Sequence, residues 1–427
     1  MNSLHVRHLL CMKKLPLILL HLFAASMVAA DVPQWRGVNR DGVFLESGLL
    51  KQWPQEGPAL SWKTQGLGKG FASVSVVNGK IYTLGGSKEG QFLLALDAVT
   101  QKELWRASLC EKGGEPRCTP TVEGGLVYGL SSEGDLVCVS ALDGKEVWRK
   151  NFIVDFGNAP KPTWKFSESP YIDGEKLVVV PGSAEALVVA LNKKTGEVLW
   201  KTGAELAGKG HPGAGYTGVV VSEACGIKQY VTLVGKGAIG VDAASGKLLW
   251  HYNKVANGTA VIPTPLVWND EVFVSSGYGT GAALLKINRG EGLGGSPLVV
   301  EERYFLAAAT FQNHHGGMVR IGNYIYAGKG HNNGFPICLE WSTGKVVWEK
   351  DRGPGKESAV VIAADGNLYF RYQDGTMALI EATPEGYSEK GAFKLASVNG
   401  PSWSHPIVHD GKLYVRDQDV LLCYALR

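Results

Sequence analysis

The sequence has no long helical period, no metal-ligand spacing and, past its first thirty residues, no excess of positive charge. Each absence excludes something. Without a 3.6-residue apolar rhythm of any length, helical bundles and helical solenoids are ruled out. There is no Cys-x-x-Cys, Cys-x-x-Cys-His or His-Glu-x-x-His, so no zinc site or haem attachment is readable and no metal is expected. Residues 1–30 carry Arg7, Lys13 and Lys14 and no acidic residue; removing those three from the formal net charge of +3 leaves about zero. No basic stripe remains for nucleic acid. The one long apolar run, Leu15 to Val28, is short for a bilayer span. With its basic start and the closing Val28-Ala29-Ala30 it reads as a secretory signal, cleaved after Ala30, whether translation starts at Met1 or Met12. Cys11 precedes the run and follows Leu10, so it does not read as a lipid attachment site. The expectation is a periplasmic or secreted protein with no transmembrane segment after cleavage.

What is present is a repeat. Ala190–Trp200 reads as a strand end, a turn built on Asn192, Thr195 and Gly196, and a new apolar strand ending in an indole. The same plan returns at Ala95–Trp105, Cys138–Trp148, Gly240–Trp250 and Cys338–Trp348. From Trp62 the tryptophans are spaced 43, 43, 52, 50 and 98 residues apart, the last gap being two repeats with one tryptophan missing. A period of 40–50 residues made of short strands predicts β-propeller blades. Asn78-Gly79, Asp173-Gly174, Asp365-Gly366 and Asp410-Gly411 mark hairpins between the first two strands of a blade. Innermost strands begin near Ala72, Thr119, Ser169, Gly218, Thr264, Gly317, Ala359 and Pro406, which predicts eight blades. The last offers three strands. Its outer strand is available at Ala59–Trp62, so the N-terminal segment is expected to complete the C-terminal blade and leave no free sheet edge there.

The organisation predicted is all-β: a signal peptide over 1–30, an N-terminal extension over 31–58 packed on the propeller, and an eight-bladed propeller of four-stranded antiparallel blades over 59–427. Trp35, in Asp31–Gly42, reads as packing in a segment lying across the disc. The slot ten residues before each blade tryptophan takes a small side chain: Ala95, Cys138, Ala190, Gly240, Cys338 and, in the last blade, Cys423. Those cysteines therefore read as buried free thiols. Cys110 and Cys118 flank one inter-blade connection, where an oxidising compartment would let them pair; Cys225 has no evident partner.

In a propeller the loops entering the innermost strands, and those between second and third strands, surround one mouth of the axis. The first set holds Trp164 and Glu168, His211 and Tyr216, Asn313-His314-His315, Lys356, and Trp403 with His405. The second holds Tyr278, His331, Arg371-Tyr372 and Arg416-Asp417. Trp164, Glu168, Tyr216, Tyr278, Asn313, His314, His315, His331, Lys356, Trp403, His405 and Asp417 are the candidate binding residues, since aromatics, imidazoles and a carboxylate at a channel mouth suit a small-molecule pocket. Adjacent histidines in a regular strand point to opposite faces, so at most one of His314 and His315 is expected to face the channel. Glu168 reads either as a base or ligand, or as a staple between neighbouring blades. Trp164 and Trp403 read either as stacking platforms or as a plug. Lys356 lies in Gly353-Pro354-Gly355-Lys356, which lacks the helix and hydroxyl residue of a phosphate loop.

The string Ala-x-Asp-x-x-Thr-Gly-x-x-x-Trp, kept best at Ala190–Trp200 and Ala95–Trp105, resembles the repeat of the pyrroloquinoline-quinone (PQQ) β-propeller superfamily over about residues 59–427. That superfamily includes quinoprotein alcohol dehydrogenases and a non-enzymatic lipoprotein of the outer-membrane β-barrel assembly machinery. The opening PQWRG…RDG, with Asn313–Gly317 and Leu413–Asp419, is similar to exported propellers of planctomycete-type bacteria. The departures matter. The quinoprotein enzymes carry adjacent disulfide-bonded cysteines under the quinone, and this chain has no Cys-Cys pair. Their calcium cradle of Glu and Asn with a catalytic Asp does not map residue by residue, Glu168 being the one candidate. The lipid-modified cysteine of the assembly lipoprotein is missing too. Three readings follow: a non-catalytic, monomeric scaffold binding an envelope protein; an alcohol or sugar oxidoreductase with PQQ and calcium in the funnel; and a glycan or small-ligand binder stacking on Trp164 and Trp403.

Overall fold

Every repeat folds as expected, into a meander whose third and fourth strands meet at the motif turn. The computed structural model describes residues 30–427, so the predicted signal peptide, Ala30 apart, lies outside the described residues. Eight sheets form. The first holds Ser75–Val77, Lys80–Gly86, Gln91–Asp97 and Glu103–Cys110, in that order from the axis outward. The others repeat it, with helix limited to short segments such as Phe152–Asp155. At Asn78-Gly79, Asp365-Gly366 and Asp410-Gly411 both turn residues take positive φ, the backbone that tight hairpins require. In all eight sheets the register slips along the outer strand, a bulge that bends it.

The small-residue slot has a direct cause. Ala95, Cys138, Ala190, Gly240, Cys338 and Cys423 sit opposite Trp105, Trp148, Trp200, Trp250, Trp348 and Trp62 across the outer strand pair. A Cβ on Gly240 would stand 2.1 Å from the Trp250 indole nitrogen. Several indoles also reach the next blade. Trp105 lies over Gly144, Trp148 over Gly196 and Trp200 over Gly246, and a Cβ on any of the three would come within 2.8 Å of the indole. Trp105, Trp148 and Trp348 donate Nε1–H to the carbonyls of Ala141, Lys193 and Thr383 in the following blade. At roughly 200 Å² per buried indole and about 25 cal/mol per Å², each pin contributes about 5 kcal/mol before entropy is counted.

The missing tryptophan is Tyr304. It occupies the indole's place in the fifth blade, packs over Gly344 and donates its hydroxyl to the Trp341 carbonyl at 2.7 Å. In the seventh blade that place is Ala392, opposite Ala378. There Trp53, from the N-terminal extension, packs on Phe393 and Tyr369.

Ring closure is as expected: Leu60–Gln65 pairs antiparallel with Val420–Ala425, and Trp62 faces Cys423. The segment before it does more than pack. Val32 bridges Val76 in the first blade and the Pro33 carbonyl takes the Val122 amide in the second. Arg40 donates to the Ser169 and Pro170 carbonyls of the third, and Arg36 to the Met318 carbonyl at the entry to the sixth. Val43–Phe44 then pairs parallel with Ala363–Ala364, so the seventh sheet has five strands where four antiparallel ones were predicted. Arg36 and Arg40 are buried at φ 62° and 58°, a left-handed backbone held in place by the blades they bind. Burial pulls both guanidinium values down to about 10, which leaves them charged at neutral pH. This strap stoppers the axis. All six cysteines of the described residues are free thiols, Cys110 and Cys118 included.

Candidate functional site

Above the stopper, on the side where the innermost strands begin, the ring encloses a cavity of about 310 Å³. Trp35 lines it from the strap, with His405 at 5.3 Å, ring centre to ring centre. Loops from blades three to five bring Trp164, Tyr216 and Tyr278 to one wall. Trp164 stacks on Tyr278 at 6.5 Å and 25°, and its backbone amide donates to the Tyr216 hydroxyl. The loops entering blades one and eight bring Phe71 and Trp403 to the other, stacked at 4.8 Å and 26°. Trp403 is fixed by its Nε1–H on Gln373 Oε1 at 2.6 Å.

Of the candidates read from the sequence, Trp164, Glu168, Tyr216, Tyr278, His314, His315, Trp403 and His405 line this one cavity. His331 stands against two of them, 4.4 Å from the Tyr278 ring centre and 4.1 Å from that of His314. Asn313, Lys356 and Asp417 are not in the lining. Asn313 is buried and ties its own loop, donating to the Gly328 carbonyl and accepting from the Gly316 amide. Lys356 is exposed. Asp417 is buried in an ion pair with Arg371 at 3.0 Å, between blades seven and eight. His211 is exposed.

The expectation that at most one of His314 and His315 faces the channel is corrected. The pair sits in a bend between the fifth and sixth blades, outside any strand, and both rings line the cavity with their Nε2 atoms 3.2 Å apart. Ser358 donates to Asn332 Oδ1, so its oxygen accepts from His314 Nδ1–H at 2.7 Å. That tautomer turns the His314 Nε2 lone pair toward the Tyr278 hydroxyl at 3.1 Å. Burial, reinforced by His331, pushes His314 down to about 4. Burial, then His314, His405 and His331, holds His315 well below the ordinary imidazole value; burial and then Arg36 do the same for His405. The three rings are neutral at pH 7.

Glu168 is buried, and its one hydrogen bond runs from the Val180 amide to Oε1 inside the third blade. It does not staple neighbouring blades. Oε2 has no partner. Burial raises the carboxyl to about 8, against the opposing pull of the Val180 N–H and of Arg40. Sequence reading missed Trp35 as a cavity residue, and Phe71 and Arg117 altogether. Phe71 and Arg117 precede the innermost strands of the first two blades, so the loop rule that found Trp164 would have found them.

The donor set bears on the quinone. PQQ carries three carboxylates and calcium-bound PQQ needs a charged oxygen cradle. Arg117 is the one cation and Glu168 the one carboxylate in the lining. No group of three His, Cys, Asp or Glu able to hold a metal occurs among the described residues. The lining does not fit PQQ with calcium.

A family model described as outer membrane protein assembly factor BamB matches residues 89–350. The BamB of Burkholderia pseudomallei (strain K96243) is 28% identical over 234 residues, which is 52% of this chain and 56% of that protein, so the match spans about half the length of the curated relative. Among solved structures, quinohemoprotein alcohol dehydrogenase from Comamonas testosteroni aligns with a TM-score of 0.60 at 12% identity, over 93% of this chain and 80% of that one. BamB from Moraxella catarrhalis aligns at 0.57 and 12% identity, over 86% and 98%. A europium-containing methanol dehydrogenase aligns at 0.56 and 13%, over 90% and 88%. At these identities the likeness of the structures is one of fold. No helix of the described residues is long and apolar enough to cross a membrane. With the family model matched across most of blades one to six, this chain belongs to the BamB-type family of PQQ-like repeat β-propellers.

Proposed function

We propose that this propeller is an exported, non-catalytic binding protein of the cell envelope whose partner is an envelope protein of the outer-membrane assembly kind. The observation that carries the reading is the family match over residues 89–350. Two features of the molecule support it. The lining, with one cation and one carboxylate, is a poor host for calcium-bound PQQ, which supports a reading without the quinoprotein chemistry. The perimeter of four consecutive blades, the eighth through the third, exposes Leu60, Leu104, Val147 and Leu199 on its outer strands. Exposed apolar side chains along one arc suit a protein partner.

The test is affinity capture from solubilised envelope, comparing wild type with a Leu104→Glu/Val147→Glu double variant. The expected result is an outer-membrane β-barrel assembly protein retained by wild type and lost from the variant. Equal capture by both overturns the arc. Residence of the protein in the cytoplasm, or dye-linked alcohol oxidation on adding PQQ and calcium, overturns the function.

A further inference from the structure

The funnel has the build of a site. Its two aromatic walls come from opposite sides of the ring, blades three to five and blades eight and one. Both are pre-formed, by the stacking of Trp164 on Tyr278 and of Phe71 on Trp403. Between them stand one carboxylate and one guanidinium. Glu168, only 4% exposed, lines the cavity with an unpartnered Oε2. Arg117 lines it beside Phe71, its guanidinium carbon 5.2 Å from the ring centre, with one N–H bound to the Glu115 carbonyl.

Several other polar side chains are already engaged with the protein. Ser73 donates to the His405 carbonyl, Ser169 accepts the Thr119 amide, Thr264 pairs with Thr217, and His314 uses both ring nitrogens. A pyranose would bring several hydroxyls against walls that are mostly aromatic and apolar, and each buried orphan is costly. A cation would meet Arg117 and, under the Trp35 floor, Arg36 and Arg40 at 5.5 and 5.7 Å from the indole. At about 310 Å³ the space is near the small end of ligand pockets.

We propose that the funnel binds a planar aromatic ligand of one or two fused rings bearing a single carboxylate, sandwiched between the two aromatic walls, with the carboxylate on Arg117 and a ring hydroxyl on Glu168. The rings supply area and stacking, the guanidinium a charge-assisted pair, and the hydroxyl fills the one vacancy around Oε2. Occupancy does not depend on which protein meets the perimeter, so this site stands or falls separately from the partner.

The test is tryptophan fluorescence and calorimetry on the mature protein with 4-hydroxybenzoate and 5-hydroxyindole-2-carboxylate as probes. Galacturonate, benzyltrimethylammonium and PQQ are run beside them. At least one hydroxy-aromatic acid binds and the comparison ligands bind more weakly or not at all. Arg117→Gln and Trp164→Ala each weaken binding about tenfold, the scale of one charged hydrogen bond or one aromatic contact. Trp164 is 43% exposed, so its variant keeps the fold and the test survives if Arg117→Gln does not. Failure of both acids at millimolar concentration, tighter binding of any comparison ligand, or undiminished binding by Trp164→Ala or a folded Arg117→Gln overturns the proposal.

Discussion

The rim and the funnel use the same residue in opposite ways. At the rim each indole faces a small residue on its own sheet; Trp105, Trp148 and Trp200 also cover a turn glycine of the next blade, and Trp105 and Trp148 donate to a carbonyl three residues before that glycine. Nothing is left over for a ligand. In the funnel Trp164 leans on Tyr278 and Trp403 on Phe71 and His315, and both line open space. Repetition marks the first kind as structure, and its absence marks the second as a site.

That contrast can be broken by mutation. The largest effect is expected at the rim, where Trp148→Ala removes the pin between the second and third blades and costs about 3–5 kcal/mol in urea unfolding. Trp164→Ala, a funnel indole, stays within about 1 kcal/mol by the same measurement. Equal losses would erase the distinction.

Gly196→Ala comes next. The residue has φ +73° and its new methyl would stand 2.8 Å from the Trp148 ring, so stability falls by about 1–3 kcal/mol. A neutral result would mean that Trp148 does not rest there.

The smaller effect sharpens the tyrosine substitution. Tyr304→Phe keeps the ring over Gly344 and loses the bond to the Trp341 carbonyl, for about 1 kcal/mol, measured by the urea midpoint. No change would mean that the hydroxyl is not part of the pin.

The funnel side has its own probe, in pH. Glu168 titrates near 8 when folded, from an ordinary 4.5, so its contribution to stability is full below pH 4.5 and lost as pH rises through 8. The imidazoles of His314, His315 and His405 are lowered, so theirs is present above about 6.5 and lost on acidification. They are common to wild type and Glu168→Gln. Relative to that variant, the wild-type melting temperature therefore falls between pH 5 and 8. A flat difference would mean that the carboxyl is not buried as described.

Blade number, the small slot opposite each indole and the closure by Trp62 were all legible, because each is written several times along the chain. Tyr304 was not, since a phenol can replace an indole wherever what counts is a flat ring with one donor. The fifth strand of the seventh blade and the Trp53 contact were hidden in a segment that has no second copy to compare. For the site, the loop rule located most of the lining. It failed at Asn313, Lys356 and Asp417, the last because its charge is spent on Arg371; at the histidine pair it was strand alternation that failed, because the bend there depends on tertiary context. Trp35 reaches the cavity only because the strap crosses the axis, which no local pattern encodes.

That strap sets the order of assembly. Its anchors reach from Val76 to Leu426, and the last sheet cannot zip until Leu60–Gln65 finds Val420–Ala425. During synthesis the strap must wait for the last strand. The ring thus stays an open crescent until the whole polypeptide has emerged, and slow emergence prolongs the period in which an unsealed blade edge meets other chains.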